Sequence, residues 1–258
     1  MGRTRALALL IAAGLALPAR ATDTPDSIFA CMRANIPQTV RIQTVEIKAY
    51  DRTGGERVMR GRVFGTRENN RARVMMRVEA PPDLSRSAYL IRESDPSDEM
   101  YMFLPAMNKT RRITGAAMDG KLWGTDLSYA DLKQIQNAFT GAGVTLEAPG
   151  DIEGRPVHVL NFAPRTQEPS RYEKIRTFVD QKTCIALKAE FYEGNGVRKV
   201  LTVAAADLKQ AGTHWYASSA KMQDLKEGTH TVLKVTGVSA GDKLSARYFN
   251  PTQFYQGN

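Results

Sequence analysis

The chain has 258 residues, 42% of them hydrophobic and 24% charged, with 20 Gly and 12 Pro. That balance excludes wholesale disorder, collagen and linker arrays, and the length suffices for a sizeable core without disulfides. A formal net charge of +9 suits anionic lipid head groups, lipopolysaccharide or an acidic partner as well as a plain solvated surface, and no RNP, helix-turn-helix or zinc-finger pattern accompanies it, so the expectation is no nucleic acid.

Residues 1–21 read as a secretory signal peptide. Arg3 and Arg5 make its basic start, residues 6–17 its apolar run, and Ala19-Arg20-Ala21 its cleavage site. The run is too short for a permanent bilayer anchor. Its removal takes away three arginines and no acid, leaving +6. The expected mature chain is residues 22–258, exported to the periplasm. Ile28-Phe29-Ala30-Cys31 is a faint lipobox; Phe29 fits it poorly, and Asp23 and Asp26 separate the cysteine from the apolar run.

Thr24, Pro25 and Asp26 give a helix start: a cap residue, a proline at the first helical position and an acid in the first turn. Pro37 ends that helix. Strands follow. Val40, Ile42, Thr44, Glu46 and Lys48 alternate with Arg41, Gln43, Val45, Ile47 and Ala49, and Thr53-Gly54-Gly55 is a hairpin turn before a return strand over 58–66. After Asn69-Asn70, Ala72, Val74, Met76 and Val78 alternate with Arg71, Arg73, Met75, Arg77 and Glu79. That pattern predicts a strand with one buried and one wet face. Further strands are expected over 87–92 and 100–104.

Residues 105–130 interrupt the meander. A helix is expected over 129–139, with Leu132, Ile135, Gln136 and Phe139 on one face and Gly141 and Gly143 at its end. Strands resume over 144–148, 156–162, 175–179, 185–192, 197–205, 215–225 and 231–238, for about eleven in all. No composition break marks a linker, so 22–258 is expected to form a single domain. Strands near ten residues are about 33 Å long. A broad, curved antiparallel sheet of that kind must close, pair or be covered, and the two helices are the available cover.

No catalytic motif emerges: H-E-x-x-H, G-x-S-x-G, S-x-x-K and a Walker loop are all missing. His158, His214 and His230 each sit singly in a strand pattern, so neither a metal nor a cofactor is expected, and no catalytic residue is assigned. Cys31 and Cys184 are the only cysteines. In an oxidising compartment they form either a bridge or two buried thiols, and the bridge is the expectation. Seven of the ten methionines lie between residues 59 and 118. Methionine fills irregular cores and also lines promiscuous apolar surfaces. Around Met100-Tyr101-Met102-Phe103-Leu104 both strand faces are apolar, so that strand is covered on both sides. Val74, Met76 and Val78, with Met100, Met102 and Leu104, are the candidates for an apolar ligand cavity.

Three stretches carry a family resemblance: Met100-Tyr101-Met102-Phe103-Leu104-Pro105-Ala106, then Lys109-Thr110-Arg111-Arg112-Ile113, then Trp123-Gly124-Thr125-Asp126-Leu127-Ser128-Tyr129-Ala130-Asp131-Leu132. Together they resemble a pattern of the LolA-like outer-membrane lipoprotein-sorting proteins, in the broader branch associated with RND-type transporters. The resemblance implies a mainly β, LolA/LolB-like half-barrel of antiparallel strands around an apolar cavity, with short lid helices. It implies a monomeric, non-enzymatic periplasmic carrier of lipoprotein acyl chains or another lipid. An inner-membrane RND-type transporter is the implied partner of the second version, in which the cargo is another hydrophobic molecule. Arg111 and Arg112 would then sit at the cavity mouth; the alternative is that they pair with nearby acids. Asp126 reads most simply as an N-cap for the helix near Tyr129. A hydrolase with an unrecognised site and an adaptor for acidic glycans are the competing classes.

Overall fold

The computed structural model describes residues 23–94, 98–129, 131–132, 143–163, 171–241 and 246–256. Residues 1–21, where a signal peptide is expected, and all but the start of the helix expected over 129–139, lie outside them.

Helix α1 (Pro25–Ala34) begins as its sequence dictates. Thr24 caps it in a reciprocal box with Ser27, Pro25 occupies the first turn, and Ile28, Phe29 and Met32 form its buried stripe. Six strands follow: β1 (Arg41–Tyr50), β2 (Glu56–Glu68), β3 (Arg71–Ala80), β4 (Ala88–Arg92), β5 (Glu99–Leu104) and β6 (Lys109–Arg112). Beyond a covering segment, 113–132, come β7 (Val144–Leu146), β8 (Gly150–Ile152), β9 (Arg155–Phe162), β10 (Lys174–Asp180), β11 (Ala186–Glu193) and β12 (Gly196–Thr202). The last four are β13 (Leu208–Ala211), β14 (His214–Ala217), β15 (Ser219–Asp224) and β16 (Thr229–Ala240).

All but β13 and β14 join one curved, open antiparallel sheet of fourteen strands. The first and last strands pair in its middle, Arg41 opposite Ala240 and Tyr50 opposite His230. They weld a meander of β1 to β6 to a second run of β15, β12, β11, β10, β9 and β7. Register shifts at Thr44/Val45 on β1 and at Arg60/Gly61 on β2 mark bulges. Bulges sharpen bending and twist, which a sheet of this width needs in order to curve.

One face, the inner one, is covered by α1 and by segment 113–132. Its core holds Ile28, Phe29 and Met32 of α1, strand residues such as Val45, Ile47, Val78 and Met100, and Leu122, Leu127 and Tyr129 of the segment. The outer face departs from the wet surface expected for β3. Met75 and Arg77 are both buried. Residues 246–256, to which the sequence pattern assigned no element, lie across them. Tyr248 and Phe254 join Phe64, Met75, Leu90 and Phe103 in a second cluster. Arg77 donates to the Phe254 carbonyl at 3.1 Å, and Tyr255 stacks on Phe103 with ring centroids 4.0 Å apart. The two-faced hydrophobicity of β5 therefore has a cover on each side.

Two other differences have local causes. β6 is a strand of Lys, Thr, Arg and Arg, all exposed; a charged edge strand carries no apolar alternation to be read. The strand expected over 215–225 breaks at Ser218. β14 pairs with β13, whereas β15 pairs with β12 and β16. Ser218 bridges the change, its N–H donating to Asp207 and its carbonyl accepting from Val235.

Gly61 shows how closely β2 and β3 approach at their bulge. A Cβ there would lie 2.1 Å from the Arg77 carbonyl oxygen. Backbone stands on both sides, so no side chain can swing away. Gly61→Ala is expected to destabilise the fold by about 1–3 kcal/mol or more. A urea midpoint equal to that of the wild type would refute this.

Candidate ligand cavity

The inner core is not filled throughout. Between the central strands and their cover lies a cavity of about 210 Å³. Its floor is apolar because β1, β2, β3, β12, β15 and β16 each present alternate side chains to this face. Val45, Val63, Val74, Met76, Leu201, Met222, Leu233 and Val235 line it from the sheet, and Leu127 and Leu132 from the covering segment. Its rim is polar: Asn35 and Arg41, Gln43 on β1, and Trp215 and Tyr216 on β14. Gly65 adds space, because nothing lies within 4 Å of where its Cβ would stand.

The rim is built from distant parts of the chain. Cys31 of α1 is bridged to Cys184, 153 residues away in the β10–β11 turn. Beside the bridge, the Asn35 side chain donates to the Thr183 carbonyl at 2.7 Å and accepts from the Trp215 N–H at 2.8 Å. The turn is itself anchored. Arg155 grips Asp180 with two bonds of 2.9 and 2.8 Å, and Thr183 donates twice to the same carboxylate. Burial works against the charge of Asp180, yet Arg155 and Thr183 outweigh it and hold the carboxyl below the usual carboxylate range.

The cover is fastened by a buried polar network. Gly124 adopts φ +79° and lets the chain turn. Asp126 then accepts from Thr231 at 2.8 Å and from Thr229, both on β16. Asp126 is therefore not the N-cap expected of it. That place is taken by Ser128, whose N–H donates to Asp131 and whose hydroxyl accepts the Asp131 N–H. This is the reciprocal capping box of an S-x-x-D sequence. Lys199 on β12 completes the network: its ammonium donates at 2.8 Å both to the Asp126 carbonyl and to the Asp131 carboxylate.

The residues singled out in the sequence fall in several places. Val74 and Met76 line the cavity. Val78 and Met100 are buried in the inner core beyond it, and Met102 packs against that core. There the Tyr129 hydroxyl donates to the Met102 sulfur at 2.7 Å, and the Tyr89 and Tyr129 rings lie 5.5 Å apart. Leu104 is half-buried at the end of β5, opposite Lys109. Arg111 and Arg112 are exposed on the edge strand β6 and are not among the cavity's lining residues. The rim residues Arg41, Trp215 and Tyr216 escaped sequence reasoning. Arg41 shares the alternating set of Gln43, Val45 and Ile47, so the pattern does place it inward, but its charge gave no reason to single it out from the chain's many other arginines. Among the described residues, no group of three His, Cys, Asp or Glu side chains is placed to hold a metal ion, and no helix is long and apolar enough to cross a membrane.

A family profile described as "Uncharacterized protein" matches residues 70–256. No curated protein matches the chain. Solved structures do. A DUF1329 family protein from Desulfovibrio piger shares 18% identity over 89% of this chain and 98% of its own, with a TM-score of 0.77. A domain assigned to outer membrane lipoprotein sorting, from Vibrio parahaemolyticus, shares 22% identity over 88% and 97%, at 0.75. A LolA superfamily protein from Nitrosomonas europaea shares 19% over 89% and 98%, at 0.67.

Proposed function

The chain belongs to the family whose profile matches residues 70–256 and has the LolA-like fold of the three solved structures, and from that premise we propose that it is a periplasmic carrier which takes up lipoprotein acyl chains or another lipid for transfer toward the outer membrane. The observation that carries this reading is the cavity: an apolar hollow in an otherwise close-packed core, beneath a cover that is fastened to the sheet by polar contacts. Protein interiors are packed as densely as organic crystals. An apolar space of about 210 Å³ forfeits dispersion contacts that a bound chain would supply. The Vibrio parahaemolyticus domain of the same fold is assigned by name to outer membrane lipoprotein sorting, which agrees with this chemistry. The exported leader read from residues 1–21 agrees with the location.

Native mass spectrometry of protein purified from the periplasm should find acyl lipid bound, and a fluorescent fatty acid should bind the delipidated protein and be displaced by unlabelled lipid. Two variants separate hollow from packed core. Met76→Trp places an indole in the cavity, and Gly65→Leu grows a side chain into space that holds no other atom. Both should keep the wild-type urea midpoint to within about 1 kcal/mol and lose the probe, whereas overpacking a filled core is destabilising by about 1–3 kcal/mol. Unfolding of Met76→Trp, together with a wild type that binds no acyl probe, would remove the basis of the proposal.

A further inference from the structure

The cavity wall carries charge at a single point. Among the described residues that line it, Arg41 alone has an ionised side chain; none of the others is Asp, Glu, Lys or His. The guanidinium donates to the Asn35 carbonyl at 3.2 Å and lies 5.9 Å from the centre of the Tyr216 ring. No carboxylate acts on it among the described residues. Burial lowers its pKa, and Tyr216 pulls weakly the other way.

An arginine stays charged in a protein, and its planar fork of five N–H donors matches the paired oxygens of a carboxylate or phosphate. Partial burial without a counter-ion is unfavourable unless something pairs with the charge. Other shielded arginines are met in one of two ways: Arg155 has Asp180, and Arg198 has Asp224 at 3.0 Å, while Arg77, buried under residues 246–256, is met by the Phe254 carbonyl and the Tyr248 ring. Arg41 has no acid, and the space beside it is clear. Its cross-strand neighbour on β2 is Gly65, where a Cβ would meet no atom within 4 Å. The surrounding rim is preset, because Asn35 is tied to both Thr183 and Trp215. A preset rim spares a ligand the entropy of ordering it.

We infer that the cargo is an amphiphile with an anionic head group, the head bound by the Arg41 guanidinium at the rim and the acyl tail laid along the Val63, Val74 and Met76 floor. This deepens the carrier reading and rests on it. It favours a free acid or a phosphorylated single-chain lipid over a neutral acylglycerol end. Carboxylate and phosphate share the oxyanion chemistry that the fork recognises.

Competition against one fluorescent acyl probe tests the inference on the full mature chain. The competitors are palmitate, palmitoyl lysophosphatidic acid and the neutral monopalmitoylglycerol, with wild type, Arg41→Gln and Arg41→Lys. Charge-assisted hydrogen bonds contribute enough to separate affinities by about 10- to 100-fold. The wild type should bind at least one anionic competitor about tenfold or more tighter than the neutral one, and the tighter of the two names the head group. Arg41→Gln should bring that competitor down to the neutral level and leave monopalmitoylglycerol unchanged. Arg41→Lys, which keeps the charge and loses the fork, should fall between. Equal wild-type affinity for all three lipids, or an equal loss of all three in Arg41→Gln, would overturn the inference while leaving the carrier reading intact. Binding of none of them would defeat that reading itself. The wild-type ratio of anionic to neutral affinity decides the matter even if Arg41→Gln does not fold.

Discussion

Reduction of the Cys31–Cys184 bridge, or its removal as Cys31→Ala/Cys184→Ala, is expected to lower stability by about 3–5 kcal/mol. The bridge closes a loop spanning 153 positions. In the chain-entropy picture a loop of that size confines the unfolded chain strongly, and the penalty of its loss sits at the upper end of the usual range. Folded-state effects act in the same direction. α1 is a helix of ten residues, too short to persist without tertiary support. The bridge holds it over the inner face, where the Phe29 and Phe162 rings lie 5.8 Å apart. It also holds the Asn35 side chain against Thr183 and Trp215. Urea unfolding of oxidised and reduced protein should show the gap in midpoint, and thiol titration of the unfolded, unreduced protein should find no free thiol. Two titratable thiols, or equal midpoints, would contradict the expectation. Acyl-probe affinity should fall with the bridge, because the rim loses its tether.

The sheet was legible because period-two alternation is a direct imprint of one covered face. β3 is the clearest case: Ala72, Val74, Met76 and Val78 all turn inward. The start of α1 was legible from Thr24, Pro25 and Asp26, since capping chemistry is local. What escaped depended on partners far away in sequence. Nothing near Met75 and Arg77 indicates that Tyr248 and Phe254 will cover them. Nothing near Asp126 indicates Thr229 and Thr231, more than 100 positions on, so a local cap was the natural reading of that aspartate. The sequence Ser128-x-x-Asp131 did contain the true cap. The cavity was half legible. Alternation fixes that Val74 and Met76 face inward, but whether inward means packed or hollow is decided by how far the opposing cover stands off. The methionine cluster shows the limit. Of its seven members only Met76 lines the cavity, while Met59, Met75 and Met100 are ordinary core side chains exposed by no more than 2%.

Lys199→Met is expected to cost about 3–5 kcal/mol and to release the cover of the inner face. Lys199 and Asp131 are exposed by only 1% and 0%, so neither charge can turn to water when the other is removed. Breaking one half of a buried pair leaves an uncompensated charge, which is the expensive case, whereas replacing both halves together is often near neutral. Here the loss is wider than one ion pair, because the same ammonium also satisfies the Asp126 carbonyl. The Asp131 carboxylate has further duties. It caps Ser128, and together with burial, the larger cause, it pushes the Tyr172 hydroxyl well above the ordinary tyrosine range. Methionine matches the length of lysine's aliphatic stem, so the change tests the charge rather than the volume. The double variant Lys199→Met/Asp131→Asn keeps an oxygen for the Ser128 cap and removes both charges. It should recover about 0.5–3 kcal/mol relative to the sum of the single changes. Because Leu127 and Leu132 flank this network and line the cavity, Lys199→Met should also weaken acyl-probe binding at urea concentrations where the sheet is still folded. A midpoint within about 1 kcal/mol of wild type, or strictly additive single and double variants, would show that the cover is held by apolar packing alone. The Gly124-Thr125-Asp126 and Ser128-to-Asp131 stretches would then serve only the local turn. With the expected coupling, those stretches are instead the fastener between lid and sheet, and the strength of that fastener sets how readily the hollow beneath can open to a lipid.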